Sequence, residues 1–477
     1  MTQGNACRGV GLAVAAGLLF VGSAQAAQAV NRPYLQSVTP NSAVVVFRAD
    51  QACPAQVRFA AGEQAEQVAA SSESQAQHEV RLEGLQPGTE YRYTVEACGS
   101  VLEPEKRFRT APAPGTTDVQ FGVIGDFGKG TAAQTSVADQ ILAQRPEVLV
   151  TVGDNIYSDG TDEEFTANFL APMGSLFAEI PLYPAFGNHD YAADDLETSL
   201  ANFVVPTNNP RGTERYYSFD WGNVHFSILD SICLVGETSH PECDIEEQFT
   251  WLSDDLKASK AHWKVVLMHN PLFSGGKYGD PETHPENVEL RARLIPIFEE
   301  NGVNLVLSGD DHLYERTRPM KGTEVAPEGE RGIIYAVVGN GSEERDFTQD
   351  VAPWSAQRDN TNIGYLDVRT RGDTLEGRMI GADGQTYDNF TITKPLPPGT
   401  QTPGTQPPEE PSNPEEPSNP STPPSTPGTP PTAGTESPVE PTTGETNGKS
   451  GCAAAGGPIA LGVAGLVLWR RRRRASR

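Results

Sequence analysis

Five apolar runs in the middle of the chain end on residues that bind metals or move protons. FGVIGDFG delivers Asp126, VLVTVGDNIY delivers Asp154 and Tyr157, and LYPAFGNHD delivers Asn188, His189 and Asp190. WKVVLMHN delivers His269 and Asn270, and LVLSGDDH delivers Asp310, Asp311 and His312. A carboxylate at the end of a buried strand loses its water, which is costly unless a partner or a metal compensates. One such end alone reads as an Asp-rich turn. Five at the carboxyl edge of one sheet, where α/β proteins gather ligands, have the composition of a metal site.

The elements that must position these residues follow from the hydrophobic rhythm. Over residues 117–394, apolar runs alternate with helical patterns such as TSVADQILAQRP, which predicts an α/β (α+β) sandwich with helices flanking the sheets. YYSFDWG and NVHFSILDS alternate with period two and lie close together, so mixed rather than purely parallel sheets are expected. Tyr217, Phe219, Val224, Phe226 and Ile228 read as core, with His225 a satisfied strand residue; Trp251, Leu252 and Leu256 fit a helix packed on the sheet. Upstream, residues 31–112 show short alternating strands and a Pro87-Gly88 turn, the pattern of an all-β sandwich, and APAPGT at 111–116 is a linker.

Residues 1–29 read as a secretory signal peptide: Arg8, an apolar stretch, and A-x-A sites ending at Ala26 or Ala29. Export to an extracellular, cell-surface or outer-envelope location would let disulfides persist. Cys7 would leave with the signal and Cys452 lies in the tail, which leaves Cys53 with Cys98 and Cys233 with Cys243 as the natural pairs, other pairings staying open. Residues 395–449 are Pro, Thr, Ser, Gly and Glu and predict a disordered stalk. Residues 450–477 join an apolar helix to an arginine cluster, as a transmembrane anchor or a sorting signal would, and would meet membrane or sorting machinery. A net charge of −27 argues against nucleic acid as the main partner. Oligomeric state is not legible.

In order, Asp126, the GDNIY block, GNHD, His269 and the GDDH block resemble the calcineurin-like metallophosphoesterases, and more narrowly the purple acid phosphatases, over roughly residues 33–394. In the broad family the first block is Asp-x-His, whereas Gly128 stands in its third place here; in purple acid phosphatases a tyrosine three residues after the bridging Asp supplies the ligand, as Tyr157 does here. The stretch LEGLQPGTEYRYTV resembles fibronectin type III domains, with Tyr91 as a tyrosine corner, and the Gly-Cys, apolar helix, arginine order of the tail resembles the MYXO-CTERM sorting signal.

The resemblance implies two metal ions, Fe(III) plus a divalent Fe, Zn or Mn. It gives one ion Asp126, Asp154, Tyr157 and His312, and the other Asp154 as a bridge with Asn188, His269 and the residue at 310. It implies hydrolysis of small phosphomonoesters by a metal-bound hydroxide, with His189 catalytic and Asn188 also a substrate contact. Two departures stand out. The family's fifth block is Gly-His-x-His, and Asp310 occupies the first His position, hardening the site toward Mn(II) or Fe(II), with Asp311 a spacer; relatives commonly place a substrate-side histidine where Tyr278 falls, so Tyr278, His284 or Lys277 must fill that role or nothing does. Rival readings are a phosphodiesterase or nucleotide pyrophosphatase on the same site, and a non-catalytic surface binding protein with a degenerate metal site.

Overall fold

The computed structural model describes residues 27–396; most of the expected signal peptide, most of the expected stalk, and the expected tail anchor or sorting signal lie outside the described residues. Among the described residues no helix is long and apolar enough to cross a membrane.

Five strands open the chain: β1 (Ala29–Gln36), β2 (Ser42–Ala61), β3 (Gln67–Glu83), β4 (Glu90–Ala97) and β5 (Ser100–Arg109). They are hydrogen-bonded into one sheet rather than the two separate layers expected, because β2 and β3 are long and cross between partners. The first part of β2 pairs with β1 and the last part with β4, and register shifts between Arg48 and Ala55 mark the change. Alternate residues of these strands, among them Val45, Phe47, Val57, Phe59, Tyr93 and Val95, enter one core, as period-two patterning requires. The Gln86 N–H donates to the Tyr91 hydroxyl at 3.0 Å, which is the expected tyrosine corner. Cys53 and Cys98 are bonded, tying β2 to the turn after β4.

After the linker come β6 (Asp118–Ile124), helix α1 (Ala132–Gln144), β7 (Val148–Thr151) and β8 (Leu182–Tyr183). The Thr131 hydroxyl caps α1 by accepting from Gln134 N–H, and the helix stops at Arg145, whose φ of 51° is left-handed. Then follow β9 (Tyr217–Trp221), β10 (Val224–Ile228), helix α2 (Ile245–Ala258), β11 (Trp263–Leu267), helix α3 (Pro285–Asn301) and β12 (Leu305–Ser308). The chain continues through β13 (Tyr314–Thr317), the small hairpin β14 (Met320–Lys321) and β15 (Glu324–Val325), and β16 (Ile334–Val338). It closes with β17 (Ser355–Asp359), β18 (Gly364–Arg371), β19 (Thr374–Gly381) and β20 (Thr386–Thr393).

Two mixed sheets result, as the alternation predicted. One runs β20-β19-β18-β6-β7-β8 and the other β17-β13-β16-β12-β11-β10-β9. Val119, Phe121 and Val123 of the first share a core with Phe226, Val265, Leu267 and Leu305 of the second, and the Phe121 and Phe226 rings meet edge to face at 4.9 Å. On the outer faces, α1 covers Ile124 and Leu149 with Val137 and Ile141, while α2 and α3 cover Val266 and Val306 with Leu252, Leu256, Leu294 and Phe298. The sheets are therefore sandwiched between helices, each burying one apolar stripe.

The first sheet is packed onto the two-sheet body and does not hang from a flexible linker. Tyr34 donates to Asn202 O at 2.6 Å, Tyr93 to Ala178 O at 2.7 Å, and Arg48 pairs with Asp162 at 2.7 Å. In both sheets the parallel strands run the same way, so β6, β7, β8, β11 and β12 send their carboxyl ends to one edge. The five strand ends singled out from the sequence therefore converge there.

Candidate metal centre

Three of those ends turn sharply. Asp126, Asp154 and Asp310 have φ of 55°, 51° and 70°, left-handed values that cost a non-glycine residue free energy and cluster at functional sites. The turn lets each carboxylate point off the sheet edge instead of alternating along it. Backbone packs directly on the acids: a Cβ on Gly187 would fall on the Asp154 carboxylate, and one on Gly309 on the Asp126 carboxylate. A Cβ on Gly128 would fall on the Asn155 carbonyl, so this backbone admits no side chain where the broad family carries histidine.

The buried groups meet as two overlapping sets that share Asp154. In the first, Tyr157 Oη lies 2.7 Å from Asp154 Oδ2, 3.2 Å from Asp126 Oδ1 and 3.1 Å from His312 Nε2. Asp126, Asp154 and His312 each offer a ligand atom within 4.8 Å of the others. In the second set, His269 Nε2 lies 3.1 Å from Asn188 Oδ1, 3.4 Å from Asp154 Oδ1 and 3.7 Å from Asp310 Oδ1. His269 Nδ1 stands 2.9 Å from the Val152 carbonyl, which only accepts, so its proton is on Nδ1 and the Nε2 lone pair faces the acids.

Burial and neighbouring charges set the electrostatics of these groups. Burial, then the Asp154 and Asp310 charges, push the Asp126 carboxyl well above the usual range; burial, then Asp154 and Asp311, do the same to Asp310. Burial and the charges of Asp126 and Asp154 push the Tyr157 phenol up as well. Burial, then Arg345 and Lys129, pull the His312 imidazole down to about 4, so it is neutral and free to ligate. Convergent acids, a phenol, an amide oxygen and two imidazoles form a donor set that a multivalent cation would satisfy, and the buried, unpartnered Asn270 Oδ1 beside them agrees. The residues around Asp126, Asp154 and His312 fit a metal ion.

Around these groups lies a frame that sequence reasoning only partly saw. Asp190 accepts from the backbone N–H of Gly187, Asn155 and Ile156 and from Asn155 Nδ2, clamping the GNHD loop to the GDNIY loop. Asp311 is not a spacer: it is buried, and it accepts from Ser274 Oγ at 2.5 Å and from Tyr278 N–H at 3.2 Å, fixing the loop that carries Tyr278. A residue facing away from the acids in a polar run has no sequence signature, which is why its role was missed.

The remaining named residues sit on the rim. His189 donates its backbone N–H to Asp154 Oδ1 at 2.9 Å, its Nδ1 lies 2.5 Å from the Ser158 carbonyl, and Nε2 stands 3.9 Å from Asp154 Oδ2. Burial and the Asp310 charge push the Tyr278 phenol up, so it stays a hydrogen-bond donor. His284 packs behind it, rings 4.7 Å apart, with Nδ1 on Glu286 at 2.8 Å, and Lys277 lies over the Tyr278 ring. Cys233 and Cys243 are bonded, as expected. His225 is a satisfied strand residue between Asp220 and Asp255 at 2.7 and 2.9 Å.

Comparison with known proteins shows what this fold and edge are similar to. Residues 119–314 match the family described as Calcineurin-like phosphoesterase, and residues 27–115 match a domain of unknown function (DUF7800). Among curated relatives, purple acid phosphatase 21 of Arabidopsis thaliana is 29% identical over 55% of this chain and 58% of its own. Acid phosphatase type 7 of Mus musculus is 28% identical over 67% of this chain and 77% of its own. The chain spans between 53% and 65% of the first curated relatives it matches. A purple acid phosphatase from yellow lupin seeds shares the fold, with a TM-score of 0.65 at 20% identity over 76% of this chain and 75% of that one.

Proposed function

We propose that the chain is an exported, binuclear metal-dependent phosphomonoesterase of the acid phosphatase type. The observation that carries this reading is the pair of donor sets joined at Asp154, with a phenol in only one of them. In it, Asp126, Tyr157 and His312 with Asp154 would hold one ion, and Asn188, His269 and Asp310 with Asp154 would hold the other. The anionic phenolate and carboxylates suit Fe(III) in the first position, and the amide, imidazole and carboxylate suit a hard divalent ion such as Mn(II) or Fe(II) in the second. When bound, the ions supply Lewis acidity toward the phosphoryl oxygens and an activated water.

The chain's own residues do the rest. Asp154 fixes both sets relative to each other, and Asp190 holds the two loops that carry it and His189 in register. With Nδ1–H on the Ser158 carbonyl, His189 takes and gives protons at Nε2, the atom that faces the site, and so serves the leaving oxygen. The Tyr278 phenol, kept protonated by burial and the Asp310 charge, offers a hydrogen-bond donor. Two disulfides and the signal-like start support an oxidising compartment outside the cytosol, and the fibronectin-like sheet acts as a packed support. The tail as anchor or sorting signal remains part of this proposal.

The test is hydrolysis of p-nitrophenyl phosphate by the full chain, alongside bis-p-nitrophenyl phosphate and with chelator. Monoester turnover abolished by chelator and restored by metal is expected. Turnover of the diester alone would transfer the site to a phosphodiesterase, and turnover of neither by metal-replete protein would refute catalysis.

A further inference from the structure

Three histidines face the site, and each turns one ring nitrogen outward. His269 and His189 set theirs on backbone carbonyls, Val152 O at 2.9 Å and Ser158 O at 2.5 Å. His312 differs. The nearest acceptor to its Nδ1 is a charged side chain, Glu343 Oε1, at 2.8 Å. The contact is close but out of line for a hydrogen bond, so the buried Nδ1 is otherwise unpartnered. Glu343 is 40% exposed and can turn its carboxylate about the last side-chain torsion to meet the N–H.

Glu343 is itself held. Lys129 Nζ lies 2.5 Å from Glu343 Oε1, and Arg345 Nη2 is at 3.2 Å, while the Arg345 N–H donates to the His312 carbonyl at 2.8 Å. Lys129 Nζ also stands 4.4 Å over the Tyr157 ring, and Tyr157 Oη lies 3.1 Å from His312 Nε2. The contacts close a circuit: His312 to Glu343, Glu343 to Lys129, Lys129 to the Tyr157 face, and Tyr157 back to His312. It links the outer sides of both non-carboxylate groups of the first donor set.

We propose that Glu343 is a positioning residue for His312, keeping the imidazole proton on Nδ1 so that the Nε2 lone pair faces Asp126 and Asp154, and that Lys129 sets where Glu343 stands. A metal-ligating histidine that donates its other N–H to a carboxylate is fixed in tautomer and orientation, and loss of such a partner typically costs about 10- to 100-fold in metal affinity. The plain alternative is a surface ion pair between Lys129 and Glu343 that contributes little and is without consequence for the site. The effect on metal affinity rests on the metal reading above; the tautomer does not.

The experiment uses the full chain as wild type, E343A, E343Q and K129M, with the His312 resonance assigned by an H312N variant. Nitrogen-15 NMR of chelator-treated protein reads the His312 tautomer, and titration with Mn(II) or Fe(III) alone reads affinity. The Nδ1–H form is expected in wild type and E343Q, which keeps an acceptor oxygen, and a mixed or reversed population in E343A. Metal affinity should fall about 10- to 100-fold in E343A and less in K129M. A tautomer unchanged in E343A overturns the proposal. A changed tautomer in a chain whose wild type binds no metal upholds the positioning role while the metal reading fails.

Discussion

The two halves of the site are built by different means. The half around Asp126, Tyr157 and His312 is tight: one phenol touches three other donors, and three ligand atoms fall within 4.8 Å of one another. The half around Asn188, His269 and Asp310 is looser, with His269 Nε2 between 3.1 and 3.7 Å from its neighbours and no phenol. Outward support differs too. His269 leans on a backbone carbonyl that cannot move without the strand, whereas His312 leans on a half-exposed glutamate. The tight half suits one highly charged ion held permanently, and the looser half an exchangeable divalent ion.

Breaking the element common to both halves should have the largest effect. D154N removes the shared anionic carboxylate, and phosphatase activity is expected to fall by about 10³-fold or more, roughly 4 kcal/mol of transition-state stabilisation. Metal analysis should show both ions lost. If one ion survives at full occupancy, the halves do not share Asp154.

Breaking one half alone comes next. Y157F deletes the phenol while leaving its ring under Lys129, and should abolish any tyrosinate charge-transfer band and lower turnover by about 10²-fold, with the second ion retained. An unchanged visible spectrum would remove Tyr157 from the coordination sphere.

The other half is sharpened by D310H. Replacing a buried carboxylate with imidazole softens the donor set, so Zn(II) affinity relative to Mn(II) should rise by about tenfold, with the first ion unaffected. Competition between the two metals, measured on one preparation, checks it. No change in preference would mean that Asp310 does not ligate.

The smallest effect lies outside both halves and serves as the control. Desolvation lowers the His225 pKa, but Asp220 and Asp255 outweigh it and raise the imidazole from its ordinary 6.5 to about 9. A raised folded-state pKa stabilises fully below about 6.5 and loses that contribution as pH rises through about 9. Asp220 is largely exposed, so the contribution is on the order of 2 kcal/mol. H225Q should therefore be less stable than wild type near pH 6, the gap closing near pH 9.5 in chemical denaturation. Metal content should be unchanged. A gap that widens with pH would contradict the charged His225 pair.

Much of the tight half was legible from the chain because its residues follow apolar runs at once: Asp126 two residues after β6, Asp154 and Tyr157 just after β7, His312 soon after β12. Strand periodicity likewise revealed two mixed sheets, and the resemblance to fibronectin type III domains pointed to the Tyr91 corner. Less was legible where function depends on direction. Asp311 lies between two site residues yet turns its carboxylate to the Tyr278 loop, and Glu343 is 31 positions beyond His312, brought back only by the course of β13 and β16 (343 − 312). Continuous pairing through β2 and β3 was hidden because alternation reports which face is buried and not which strand is the partner.

The central claim is two ions in unequal positions, and metal analysis with visible absorption on the full chain, purified without chelator, tests it most directly. Two metals per chain are expected, one of them Fe(III) with a charge-transfer band that Y157F abolishes and a reductant bleaches. A chain with one metal or none, and without such a band, would contradict the account.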